Sequence, residues 1–146
     1  MHFSWRDGVS DAAQADLDRI LDAGLEVARK ELDKSSEFDP FALFTDGDGG
    51  LLSVKQDMGA FGKHPDSVAI INDANAKLKK VSVSARCTAL VVNTRLSAEK
   101  TDAIEVHLEH REGTALLVLL PYKRKLTGKV DFGDLKAFIC MPEVWG

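Results

Sequence analysis

Along residues 103–122, hydrophobic and polar side chains follow the pattern of two strands joined by a tight turn. In the first arm every second position is apolar: Ile104, Val106 and Leu108. A period of two is typical of a strand that buries one face. The second arm is apolar without alternation over residues 116–120, so it needs cover on both faces and is predicted to be central in its sheet.

The register of this hairpin decides which side chains share a face. A two-residue turn at Glu112 and Gly113 places on one face three polar residues of the first arm and three aliphatic residues of the second: Glu105, His107, Glu109, Leu116, Val118 and Leu120. A three-residue turn with Gly113 as a bulge shifts the register by one and changes these partners. In either register the hairpin has more apolar side chains than one buried face needs. Such an excess is typical of a partner surface or a ligand groove.

Two segments have the three- and four-residue spacing of apolar positions that is typical of amphipathic helices. The first spans residues 11–33 with Ser10 as its N-cap. Its length of about 35 Å requires that it lie across a sheet or against a partner. The second begins at His64 and Pro65 and continues to Lys80, because proline is favoured at the first helical position.

Short strands are predicted in the rest of the chain. Residues 41–44 and 51–54 flank a glycine-rich loop that is typical of a hairpin connection. Residues 86–93 form a further strand. Residues 130–140 supply the last strand, which carries a bulge at residues 133–134.

The order of elements is therefore helix, two strands, helix, then three or four strands. Consecutive antiparallel strands need only short connections, and neither helix has to cross between parallel strands. We predict a single two-layer α+β domain over residues 1–146, with an antiparallel sheet of five or six strands and both helices on one face. The order resembles that of profilin-like and roadblock-like domains, and this resemblance implies a topology but no activity.

Two segments also resemble an uncharacterised group of bacterial proteins. They are SEFDPF at residues 36–41 and DAIEVHLEHREG at residues 102–113. The resemblance implies a related fold and transfers no functional residues.

Composition and charge narrow the classes of function. The chain has 146 residues, of which 45% are hydrophobic and 29% charged, as expected for one globular domain. Its net charge of -4 disfavours a general nucleic-acid binder. The longest apolar run, residues 115–121, is far shorter than the roughly 20 residues of a membrane span, and no signal peptide is evident. We expect a cytoplasmic protein with neither nucleic acid nor membrane as a partner.

The sequence lacks the P-loop, dinucleotide and serine-elbow motifs. Cys87 and Cys140 lie in apolar stretches without a second ligand at metal spacing, so buried thiols are expected. The aspartate-rich loop at residues 46–50 does not match a calcium loop, because position 6 would be Leu51 and position 12 Asp57. No metal or cofactor is predicted.

Lysine and arginine clusters at residues 77–80 and 123–129 have no interleaved aromatics and are interpreted as solvated charges.

The best candidates for chemistry are Glu105, His107 and Glu109, because alternate side chains of one strand lie close enough to act as acid and base. Three neighbouring residues without a distant fourth ligand do not define a metal site. No catalytic signature decides whether the chain is an enzyme.

Two functional hypotheses follow. The first is a non-catalytic interaction module, a homodimer that self-associates through the mixed face of Glu105, His107, Glu109, Leu116, Val118 and Leu120. The alternative is a small-molecule-binding protein or enzyme with a pocket over Glu105, His107 and Glu109.

Overall fold

A computed structural model describes residues 4–63 and 66–146. These residues form two α-helices, a short 3-10 helix at Met58–Phe61, and one seven-stranded antiparallel sheet. Helix α1 spans Asp11–Lys34 and helix α2 spans Ser67–Val81. The strands are β1 Phe41–Thr45, β2 Leu51–Ser53, β3 Cys87–Leu96, β4 Thr101–His110, β5 Ala115–Arg124, β6 Val130–Phe132 and β7 Lys136–Ile139.

Strand β5 lies inside the sheet, as predicted. The sheet order is β2-β1-β3-β4-β5, and both β6 and β7 pair with the other edge of β5. The predicted hairpin of β1 and β2 is confirmed by the pairing of Phe44 with Leu52. The predicted continuous last strand is instead two short strands, which are interrupted where the bulge was expected. There the main-chain N–H of Gly133 donates to the carbonyl of Pro121 at 2.8 Å.

The two helices pack on opposite faces of this sheet. The α1 face includes Leu43, Ala89, Val91, Ile104, Val106 and Leu108. On the other face, here called the α2 face, helix α2 and residues 144–145 cover Ala42, Leu90 and Val92. The predicted α+β class, with two helices and an antiparallel sheet, is confirmed. The prediction that both helices share one face is wrong, because β1 and β3 are apolar on both faces and each face requires its own cover.

Specific contacts fix the position of α1. The Ser10 hydroxyl accepts a hydrogen bond from the main-chain N–H of Ala13 at 3.1 Å, which confirms the predicted N-cap. A Cβ atom at Gly24 would lie 3.1 Å from a methyl group of Val91, so glycine allows the helix to approach the sheet closely. At the other end, the Arg124 guanidinium donates to the carbonyls of Leu32 and Ser35 at 2.8 and 2.9 Å. Arg124 therefore caps the helix and is not simply a solvated charge.

Helix α2 is capped by Asp66, whose carboxylate accepts from the main-chain N–H of Val68 at 3.0 Å. Its predicted start at His64 and Pro65 lies outside the described residues. Neither of the two described helices combines the length and apolarity that crossing a membrane requires.

Candidate functional site

The hairpin of β4 and β5 has the bulged, three-residue turn. Gly113 has a φ of +107°, and the main-chain N–H of His110 donates to the carbonyl of Thr114 at 2.8 Å. His107 consequently pairs with Leu117. Of the two alternatives for the turn, the two-residue form is wrong, because glycine at a positive φ accommodates the extra residue.

This register separates residues that were predicted to share one face. Three aliphatic side chains of β5 lie in the core beneath α1, and none is more than 3% exposed: Leu116, Val118 and Leu120. Their predicted position beside the polar residues of β4 is wrong. Leu117 and Leu119 take that position, and both are only half-buried. The prediction that β5 is shielded on both faces is therefore wrong for the α2 face.

Glu105, His107 and Glu109 do share the α2 face, but their environments differ. Glu105 and His107 form a partly exposed pair, with 3.0 Å between Oε2 and Nε2. The hydrogen bond to Glu105 raises the pKa of His107, burial opposes this, and the negative charges of Glu105, Glu143 and Glu109 add to the increase. Glu109 is buried.

We expect stability to fall with rising pH as His107 loses its proton. Because its folded pKa is raised, the contribution of His107 is complete below its ordinary value of 6.5 and is lost as pH rises through the folded value. Urea unfolding of the native chain should give a lower free energy of unfolding at pH 8.5 than at pH 6. In the His107→Gln variant, the part of this difference that comes from His107 should be absent. NMR titration of the ring provides the direct check, with Glu105→Gln expected to lower the His107 pKa. A native His107 that titrates below 6.5 would contradict the assignment.

The Glu109 carboxylate binds the main chain of residues 142–146. The N–H of Val144 lies 3.0 and 2.8 Å from its two oxygens, and the N–H of Trp145 lies 3.3 Å from one of them. The Trp145 indole N–H donates to the carbonyl of Ser82 at 3.2 Å. This segment, for which no element was predicted, thus covers part of the candidate site.

The space beside these residues is small. Leu90, His107, Glu109, Cys140 and Val144 are among the residues around a cavity of about 10 Å³, which is room for about one water molecule. A small-molecule pocket beside Glu109 would therefore require residues 142–146 to move. Burial, followed by the charges of Glu109 and Glu143, raises the pKa of the Cys140 thiol. At neutral pH this group is consequently a poor nucleophile.

The outer half of the α2 face carries an apolar strip that continues onto β7. Phe138 pairs with Leu117 and Lys136 pairs with Leu119, so these side chains form two rows with His107 and Glu105. Phe138 is 49% exposed. We call Leu117, Leu119 and Phe138 the open strip. It is bordered by the negative Glu105 and by the positive Lys136.

A second polar cluster, which the sequence did not indicate, lies on the α1 face. The Arg86 guanidinium donates to both carboxylate oxygens of Asp16, and His110 Nε2 lies 2.9 Å from Asp16 Oδ2. His110 Nδ1 accepts the main-chain N–H of Glu112 at 3.2 Å, which assigns the ring hydrogen to Nε2. His110 is buried beneath α1, and the cluster joins α1 to the start of β3 and the end of β4.

Neighbouring Cys87 is fully buried, and its pKa is raised by burial. Within residues 4–63 and 66–146, no group of three or more histidine, cysteine, aspartate or glutamate side chains could hold a metal ion.

No protein-family model, curated protein or solved structure matches this chain. The class of protein therefore rests on the fold, which is an α+β domain with one antiparallel sheet between two helices. The resemblance of residues 36–41 and 102–113 to a bacterial group stays a prediction.

Proposed function

We propose that this chain is a non-catalytic interaction module that forms a homodimer through the open strip. The observation that carries the proposal is the apolar strip of Leu117, Leu119 and Phe138 on an otherwise mixed sheet face, with Phe138 half exposed at its end. Large apolar groups in a row are typical of partner surfaces. In this proposal Leu117 and Leu119 replace Leu116, Val118 and Leu120 as the apolar contacts.

The charges at the border of the open strip favour a second copy of the same chain as the partner. Glu105 and Lys136 lie at opposite ends of one row across β4, β5 and β7. A twofold axis through the strip would set Glu105 of each copy against the partner copy's Lys136. Such self-complementary charges fix the orientation of an isologous contact.

The edge of β7 borders the open strip and is itself exposed. Four large hydrophobic residues close together in sequence are exposed among the described residues: Leu135, Phe138, Ile139 and Met141. Of the two that lie within β7, Phe138 belongs to the open strip, whereas Ile139 pairs with Leu116 and therefore lies on the α1 face. Within the described part of the chain, β7 pairs only with β5, so its outer edge has main-chain groups free for pairing. Exposed hydrophobic edge strands readily associate with another chain.

Phe138→Glu should weaken the dimer by about tenfold or more, because it places a charge in a desolvated contact. Sedimentation equilibrium from low to high micromolar concentration measures the dissociation constant. Leu126→Glu is the matched control, since Leu126 is a fully exposed aliphatic side chain in the turn before β6 and should leave the constant unchanged.

The orientation of the two copies has its own test. Glu105→Lys and Lys136→Glu should each weaken the dimer, and the double variant should recover much of the affinity. A native chain that is monomeric at high micromolar concentration would refute the proposal. Equal effects of Phe138→Glu and Leu126→Glu would place the contact elsewhere.

A further inference from the structure

We infer that residues 142–146 form a removable strap in a groove that binds an extended peptide through its main-chain N–H groups. The groove lies on the α2 face between β4 and helix α2. Its resident ligand in this structure is the strap itself. The inference goes beyond self-association and does not depend on it.

The groove contains a carboxylate placed to bind main-chain N–H groups. Glu109 is only 7% exposed, and a buried carboxylate needs hydrogen-bond partners. Within the described residues its hydrogen bonds come from the main-chain N–H groups of Val144 and Trp145, at 2.8 to 3.3 Å. Main-chain donors are common to all peptides, so this contact selects an extended backbone.

Side-chain contacts define the chemistry of the preferred peptide. Val144 is buried against the apolar cluster that includes Leu78 and Leu90. The next residue, Trp145, is half-buried and donates its indole N–H to the carbonyl of Ser82. The groove therefore fits an aliphatic residue followed by an aromatic residue with a hydrogen-bond donor.

Within the described residues, the hydrogen bonds of the strap come only from Val144 and Trp145, and this small number makes the strap removable. In the described structure no residue of the strap belongs to a strand, and Glu143 and Gly146 are exposed. The strap is also the cover that shields Glu109. Its departure therefore lets water reach the carboxylate and leaves no buried, unpaired charge. Segments with few buried contacts open without global unfolding.

Hydrogen exchange on the chain of residues 1–146, at a concentration where it is monomeric, tests whether the strap can leave the groove. The amides of Val144 and Trp145 should exchange about 100-fold faster than that of Val106 in the centre of β4. Glu109→Gln should accelerate the strap amides further. Glu112→Gln should not, because Glu112 is bonded to Ser10 at a distant site. Strap amides that exchange as slowly as Val106 would overturn the inference.

Peptide binding tests the groove. A chain that ends at Met141 should remain folded and should bind the end-blocked peptide Pro-Glu-Val-Trp-Gly in calorimetry, and Glu109→Gln should weaken this binding about tenfold. A truncated chain that unfolds would show that the strap is part of the core. A truncated chain that is folded but does not bind the peptide would show that the groove has no affinity for a peptide that is not part of the same chain. Either result overturns the inference, and neither bears on the dimer.

Discussion

Leu116→Ala should lower the free energy of unfolding by about 2–5 kcal/mol, because it empties part of the core beneath α1. Leu117→Ala, at the adjacent position, should lower it by about 1 kcal/mol or less, since that side chain is half-buried on the open strip. Urea unfolding of the two variants and of the native chain measures both values. The two substitutions remove the same atoms, so the difference between them depends on the environment alone.

This comparison also tests the register of the hairpin. With the two-residue turn, Leu116 would face the charged residues of β4 and Leu117 would face the core, so the order of the two effects would be reversed. Similar losses for both variants would mean that β5 is covered on both faces.

Asp16→Ala should lower the free energy of unfolding by about 2–3 kcal/mol, because it leaves the buried His110 ring without its carboxylate partner. The partial exposure of Arg86 keeps the loss below that of a fully buried charge pair, since the guanidinium can turn towards water. The matched control is Asp18→Ala on the same helix. Asp18 pairs with Arg6 at 2.8 Å but is 46% exposed, so its loss should be about 1 kcal/mol or less.

The same carboxylate contributes to the acid sensitivity of the fold. Burial would raise the pKa of Asp16, but hydrogen bonds from Arg86 and His110 outweigh it and hold this pKa below the ordinary value of 3.8. The stabilisation is therefore present above pH 3.8 and is lost as pH falls through the folded value. Asp16→Ala should lack this part of the acid transition. Equal acid profiles for the variant and the native chain would contradict the role assigned to Asp16.

Local patterns predicted the elements of this fold well. The cap at Ser10, the stripe of α1 and the alternation in β4 each depend on neighbours within a few residues, and all three are found in the structure. The hairpin register was not fixed by pattern alone. One extra residue in the turn moves every side chain of β5 to the opposite face of the sheet, and the hydrophobic run of β5 fits both registers.

The sequence does contain a signal for the opposite placement of the two helices. Residues 41–44 and 87–92 are apolar at nearly every position, which indicates cover on both faces of β1 and β3. Placement of α2 and residues 144–145 on the second face satisfies that need.

The candidate site was harder to predict, because its contacts join residues that are far apart in sequence. The pattern predicted that Glu109 shares a sheet face with Glu105 and His107, which the structure has, but the binding of Val144 by Glu109 spans 35 positions. The cluster of Asp16, Arg86 and His110 spans up to 94 positions. No local periodicity carries information about such contacts.

The cap formed by Arg124 has a consequence for folding during synthesis. The guanidinium closes the end of α1 from 89 to 92 positions further along the chain. A ribosome adds about 5–20 residues per second, so the helix emerges on the order of ten seconds before its cap exists. During that interval the last carbonyls of the nascent helix can only accept hydrogen bonds from water. The final turn of the helix should therefore become ordered only after β5 has been synthesised.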